Sequence, residues 1–99
     1  MVPDIYLSVR FRMTSEGGRT AAVKGPIYHC PLIIDESAFD CRLLLGDRVL
    51  ELGVAYEVPV KFLDKDSALQ KLAIGRDVIL WEGKDIADGK VVKICNQME

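Results

Sequence analysis

Apolar and polar residues alternate along most of this chain. In the first segment Ile5, Leu7, Val9, Phe11 and Met13 share one face, and Tyr6, Ser8, Arg10 and Arg12 share the other. A period of two marks a strand buried on one side. The pattern stops at Thr14-Ser15-Glu16-Gly17-Gly18-Arg19, where two adjacent glycines let the backbone reverse. Small residues from Thr20 to Val23 and then Lys24-Gly25-Pro26 lead into a second alternation. It sets Tyr28, Cys30, Leu32 and Ile34 against His29, Pro31, Ile33 and Asp35. Pro31 has no N–H to give to a ladder, so this strand is expected at an edge or with a bulge.

Asp35-Glu36-Ser37 reads as a turn. Phe39, Cys41, Leu43 and Leu45 then alternate with Asp40, Arg42 and Leu44 until Gly46-Asp47-Arg48 breaks the strand. Leu50 and Leu52 follow, and Gly53 marks a bulge or bend. Tyr56, Val58, Val60 and Phe62 alternate with Glu57, Pro59 and Lys61. Asp64 to Gly75 is the one helical candidate, read as a short helical turn near 66–74. Asp66 or Ser67 caps it, Ala68, Leu69 and Leu72 form its apolar stripe, and Gly75 stops it. A hairpin closes the chain. Val78 to Trp81 leads through Glu82-Gly83-Lys84-Asp85 and Ile86-Ala87-Asp88-Gly89 into Lys90 to Ile94, with Asp88-Gly89 suited to a tight turn or bulge. Six or seven short strands at close spacing indicate a barrel or a sandwich. Closing the sheet into a barrel removes its exposed edges.

Composition narrows the function classes. A chain of 99 residues has the size of one domain, expected here to span residues 1–99. Its formal net charge of −2 lacks the basic excess of most nucleic-acid binders, although a local basic patch remains open to it. A hydrophobic fraction of 49% is ample for a core and hints that some apolar surface meets a partner or a second copy. Cys30, Cys41 and Cys95 are odd in number and lack paired spacing, which argues against a disulfide scaffold and a zinc site. The expectation is buried free thiols in a cytoplasmic, reducing setting. No apolar run approaches the ~20 residues of a membrane-spanning helix, and Met1-Val2-Pro3-Asp4 does not read as a signal peptide.

The ordered set of motifs resembles a known family, the third (C-terminal) β-barrel domain of the translation elongation factor EF-Tu, here as a stand-alone domain. The strand Ile5 to Met13 followed by Glu16-Gly17-Gly18-Arg19-Thr20 resembles that domain's opening hairpin, and Lys24-Gly25 its following Lys-Gly pair. Val60-Lys61-Phe62-Leu63, Ile79-Leu80-Trp81-Glu82-Gly83 and Asp88-Gly89-Lys90-Val91-Val92-Lys93-Ile94 resemble its later strands, in order and over nearly the whole chain. The resemblance implies an all-β, six-stranded antiparallel closed barrel. It also implies tRNA contacts at Arg19, Glu82 and Gly83, with Thr20 and Lys24 nearby. The departures are as informative. Ile27 to Ile34 lacks the basic and amide residues of the family's middle strand, Ala87 replaces a glycine, and Asp64 to Gly75 is longer. A phosphate-cradling Gly-x-x-x-x-Gly-Lys-Ser/Thr loop does not occur in the sequence.

The candidate chemistry is sparse. Arg19 suits phosphate oxygens through its planar fork, and a glycine N–H can approach a backbone closely. The plainer reading of this loop is a solvated hairpin. His29 is the sole histidine and is a possible base or ligand. Strand geometry turns it away from Cys30, and Cys41 or Cys95 stays open as a partner across strands. Asp35, Glu36 and Asp40, with Asp64 and Asp66, lack the spacing and glycine of a calcium loop. Tyr28, Tyr56 and Trp81 can stack bases, but a strand tryptophan is more often core or interface. The expectation is a non-catalytic module without cofactor or metal that engages a protein partner, a translation factor or a mimic of one. The alternative is an auxiliary, translation-related domain that binds tRNA or other structured RNA. A homo-oligomer stays open, and no membrane association is expected.

Overall fold

The computed structural model describes residues 1–95. Each alternating segment becomes a strand, and its apolar half faces inward, except Met13, which lies past β1 and is exposed. In β1 (Ile5–Phe11) the residues Ile5, Leu7, Val9 and Phe11 are fully buried. β3 (Ile27–Ile34) buries Cys30, Leu32 and Ile34, and β4 (Ser37–Leu44) buries Cys41 and Leu43. β6 (Ala55–Phe62) adds Val58, Val60 and Phe62, and β7 (Asp77–Trp81) adds Val78 and Leu80. β8 (Asp85–Ile94) buries the adjacent Ile86 and Ala87 and then Val91. Two successive buried residues break the period of two, and a register shift between Leu80 and Trp81 in the β7–β8 pairing accounts for it. Burying each large aliphatic side chain contributes roughly 1.5–3 kcal/mol, so this interior is the main source of stability.

The six long strands close an antiparallel barrel in the order β1-β6-β4-β3-β7-β8. The two-residue strands β2 (Val23–Lys24) and β5 (Val49–Leu50) pair beside it. Closure rests on β1, which lies between β6 and β8. The implied closed six-stranded barrel is therefore observed, and the sandwich is not.

Four local expectations are corrected. The chain does not form a hairpin after β1. It passes through a 3-10 turn at Thr14–Glu16 to β2, whose partner is β5, because β1 is already flanked on both sides. The helix α1 spans only Lys65–Leu69 and is capped by Asp64, whose carboxylate accepts from Ser67 N and Ser67 Oγ. Pro31 sits inside β3 opposite Asp40, at the point where pairing with β7 ends, so the barrel accommodates it without an edge. Asp88-Gly89 is not a turn but lies within β8. The β7–β8 reversal occurs at Glu82-Gly83-Lys84, where Gly83 adopts φ +74° and Glu82 N donates to Lys84 O. Among the described residues, no helix is long and apolar enough to cross a membrane.

Candidate functional site

Two turns distant in sequence meet at one end of the barrel. After β1 the 3-10 turn ends in Gly17 and Gly18, whose N–H groups donate to Thr14 O and Met13 O. Gly18 is buried, and a Cβ there would overlap the Arg12 carbonyl. Only a residue without a side chain lets the turn press against β1 in this way. The next residue, Arg19, is directed across the barrel mouth toward the β7–β8 turn, where Glu82 stands.

Arg19 Nη1 donates to Glu82 Oε1 at 3.0 Å and to Tyr28 Oη at 2.8 Å. Tyr28 Oη donates in turn to Glu82 Oε1 at 2.9 Å. The Arg19 guanidinium lies 5.1 Å from the Tyr28 ring centroid, within reach of a cation–π attraction. On its inner side Tyr28 meets Phe11 edge to face, with centroids 6.0 Å apart and rings at 84°. The core therefore fixes the tyrosine, and the tyrosine fixes the arginine. Burial and the hydrogen bond to Glu82 push the Tyr28 phenol well above its ordinary value, against the opposing pull of Arg19.

Beside this triad is a cleft of about 240 Å³ lined by Gly18, Arg19, Thr20, Glu82, Lys84 and Ile86. Of the residues singled out from the sequence, Arg19, Thr20 and Glu82 are brought together there, and Gly83 forms the turn between Glu82 and Lys84. Lys24 is not among the lining residues. It is exposed on β2 opposite Val49. Lys84 was not singled out from the sequence, and Tyr28, weighed there as a stacking candidate, is the half-buried brace of Arg19. The inward phase of Tyr28, shared with Cys30 and Leu32, was the available signal.

The arrangement bears on the candidate chemistry. Arg19 is engaged by Glu82 and Tyr28, so a phosphate would have to compete with two existing partners. His29 is exposed opposite Arg42, while Cys30 and Cys41 face each other across β3 and β4 and are both buried. Cys41 and His29 therefore form no dyad. The hydrogen bond to the Cys30 thiol and burial raise the Cys41 thiol far above its usual range. In the acidic set, Asp35 pairs with Arg76 at 2.6 Å, and Asp40 faces Pro31 across the ladder. Among the described residues, no group of three His, Cys, Asp or Glu side chains is placed to hold a metal ion.

Comparison with models of known protein families finds no match for this chain, and comparison with curated proteins finds none either.

Proposed function

We propose that this chain is a non-catalytic binding module of the EF-Tu third-domain type that engages a protein partner. The observation that carries the reading is an apolar outer face across β3 and β7. Ile33 lies directly opposite Ile79, and the next outward positions are Pro31 and Trp81. Trp81 is 42% exposed. A tryptophan held on a rigid strand, with its ring half in solvent, is a residue type that anchors protein interfaces. A translation factor, or a mimic of one, is the partner class that the resemblance implies.

The test is affinity capture from source-cell lysate with the native chain and with Trp81→Ala as baits. Loss of one discrete, stoichiometric protein with the variant supports the reading. Retention of the same proteins in the same amounts by both baits would remove this face as the contact.

A second reading, RNA binding, has its own observation in favour. Arg19, Thr20 and the Glu82-Gly83-Lys84 turn, far apart in sequence, share one cleft. Titration with bulk tRNA at about 50 mM and about 200 mM salt separates the two readings. Affinity that falls steeply with salt, and falls again with Arg19→Glu, supports RNA. Absence of binding at the lower salt leaves the protein-partner reading alone.

A further inference from the structure

Cys30 and Cys41 are nucleophiles that neither the cleft nor the outer face uses. Both are free thiols, directly opposed across β3 and β4 on the inward side, and only 5% and 3% exposed. Opposed residues of an antiparallel ladder stand about 4.5–5.5 Å apart at Cα, inside the roughly 4.4–6.8 Å that a disulfide spans. The two side chains already meet, because the thiols share a hydrogen bond. Cys95, the third cysteine, follows β8 instead, where its N–H bonds Asp4 O beside the entry of β1.

The two cysteines are held unequally. Cys41 lies between two ladders, opposite Cys30 on β3 and Phe62 on β6. Cys30 lies ahead of Leu32, where pairing with β7 begins, so among the described residues its ladder partner is on β4 alone. A stretch bonded on one side opens at a lower free energy than one bonded on both. A small oxidant that enters by such an opening therefore reaches Cys30 first, while Cys41 stands behind it. The hydrogen bond and burial keep the Cys41 thiol protonated until then.

We infer that Cys30 and Cys41 form a reversible cross-strand disulfide, a redox switch in the barrel wall that hydrogen peroxide closes and glutathione opens. The Cys30 thiol loses its proton and its sulfur attacks one oxygen of the peroxide. The O–O bond breaks, hydroxide leaves and takes up a proton, and Cys30 becomes a sulfenic acid. Cys41 then gives up its proton and attacks the Cys30 sulfur, the S–O bond breaks, and the oxygen leaves as water. Both thiol hydrogens and an electron pair have passed to the peroxide, which ends as water. In the reverse direction a pair of glutathione thiols is oxidised to glutathione disulfide, and both protein thiols return. The bridge closes only the β3–β4 hairpin. The chain entropy favouring so short a loop is small, which leaves the bond open to reduction. Tyr28 is the preceding inward residue of β3, so a closed bridge stiffens the strand that carries the brace of Arg19.

The test exposes the native chain to hydrogen peroxide without denaturant, alkylates the remaining thiols and maps the peptides by mass spectrometry. A Cys30–Cys41 linkage that glutathione removes is the expected result. Linkage through Cys95, oxygen added to Cys30 or Cys41 without linkage, or both thiols intact until the chain unfolds each overturns the assignment. A linkage that glutathione leaves in place overturns the switch. In Cys41→Ser the sulfenic acid at Cys30 has no thiol to resolve it, so dimedone should label Cys30 about tenfold more than in the native chain. Equal labelling in the two chains overturns the order of events. The peptide map of the native chain needs no substitution and decides the matter even if the serine variant folds poorly. Amide shifts on oxidation should concentrate at 28–32 and 39–43, and shifts spread over every strand would mean unfolding rather than a local bridge and overturn it.

Discussion

Tyr28 joins the interior of the barrel to the two turns at its mouth. Its ring packs on Phe11, and its hydroxyl accepts from Arg19 while donating to Glu82. Folding raises its pKa above the ordinary 10.0. Its contribution to stability is therefore fully present below pH 10 and is lost as the pH climbs through the higher folded value. In alkaline titration the tyrosinate absorbance of the native chain should rise to higher pH than that of Tyr28→Phe. Equal curves would mean that the phenol is not held as described. Tyr28→Phe keeps the ring packing and the Arg19–Glu82 pair, so its cost at neutral pH should be about 0.5–1.5 kcal/mol, read from thermal unfolding. Glu82→Ala should be felt more at Arg19 than in global stability, because the Glu82 side chain is half exposed and solvent weakens what such a pair contributes.

Among the elements, the turn after β1 shows two adjacent glycines needed for different reasons. Gly17 has φ +83° with open space around it, whereas Gly18 has no room for a Cβ beside the Arg12 carbonyl. Asparagine tolerates the left-handed region far better than most residues. Gly17→Asn should therefore cost well under 1 kcal/mol. Gly18→Ala should cost about 1–3 kcal/mol, because the backbone it meets cannot move aside as a flexible side chain would. Thermal denaturation of the two variants checks this, and the reverse order of cost would refute it. The same substitution displaces Arg19, so it should also disturb the cleft while a Gly17 variant leaves it intact. The two glycines were legible as a turn from sequence. Their separate duties were not, since the clash involves a strand residue whose position depends on the fold.

At the scale of the whole molecule, Asp4 helps to lock the barrel. It is fully buried, its carboxylate accepts from Phe62 N at 2.9 Å and from Lys61 Nζ at 3.3 Å, and its backbone bonds Val60 O and Cys95 N. It thereby ties the entry of β1 to β6 and to the residue after β8. Asp4→Ala leaves the buried Phe62 N–H without its acceptor and should cost about 1–3 kcal/mol. Asp4→Asn keeps an acceptor and should cost less. Urea denaturation measures both, and an Asp4→Ala variant as stable as the native chain would show that closure does not depend on this contact. Asp4 carried no signal in the sequence, because its partners lie far along the chain.

The alternation of apolar and polar residues was enough to locate β1, β3, β4 and β6 and the side of each that faces inward. It placed Phe11, Leu32, Leu43 and Val60 in the core, because a strand with one wet face has to follow a period of two. It also located Arg19 and Glu82 in turns. The tertiary structure alone decided the strand order, with β1 between β6 and β8, and hence which turns meet. It brought Arg19 to Glu82 across 63 positions, set Cys30 opposite Cys41 and limited the β3–β7 pairing to Leu32–Leu80 and Ile33–Ile79. Pairing between distant strands depends on complementary faces and loop closure over the whole chain, and a local pattern carries no record of which partner a strand will find.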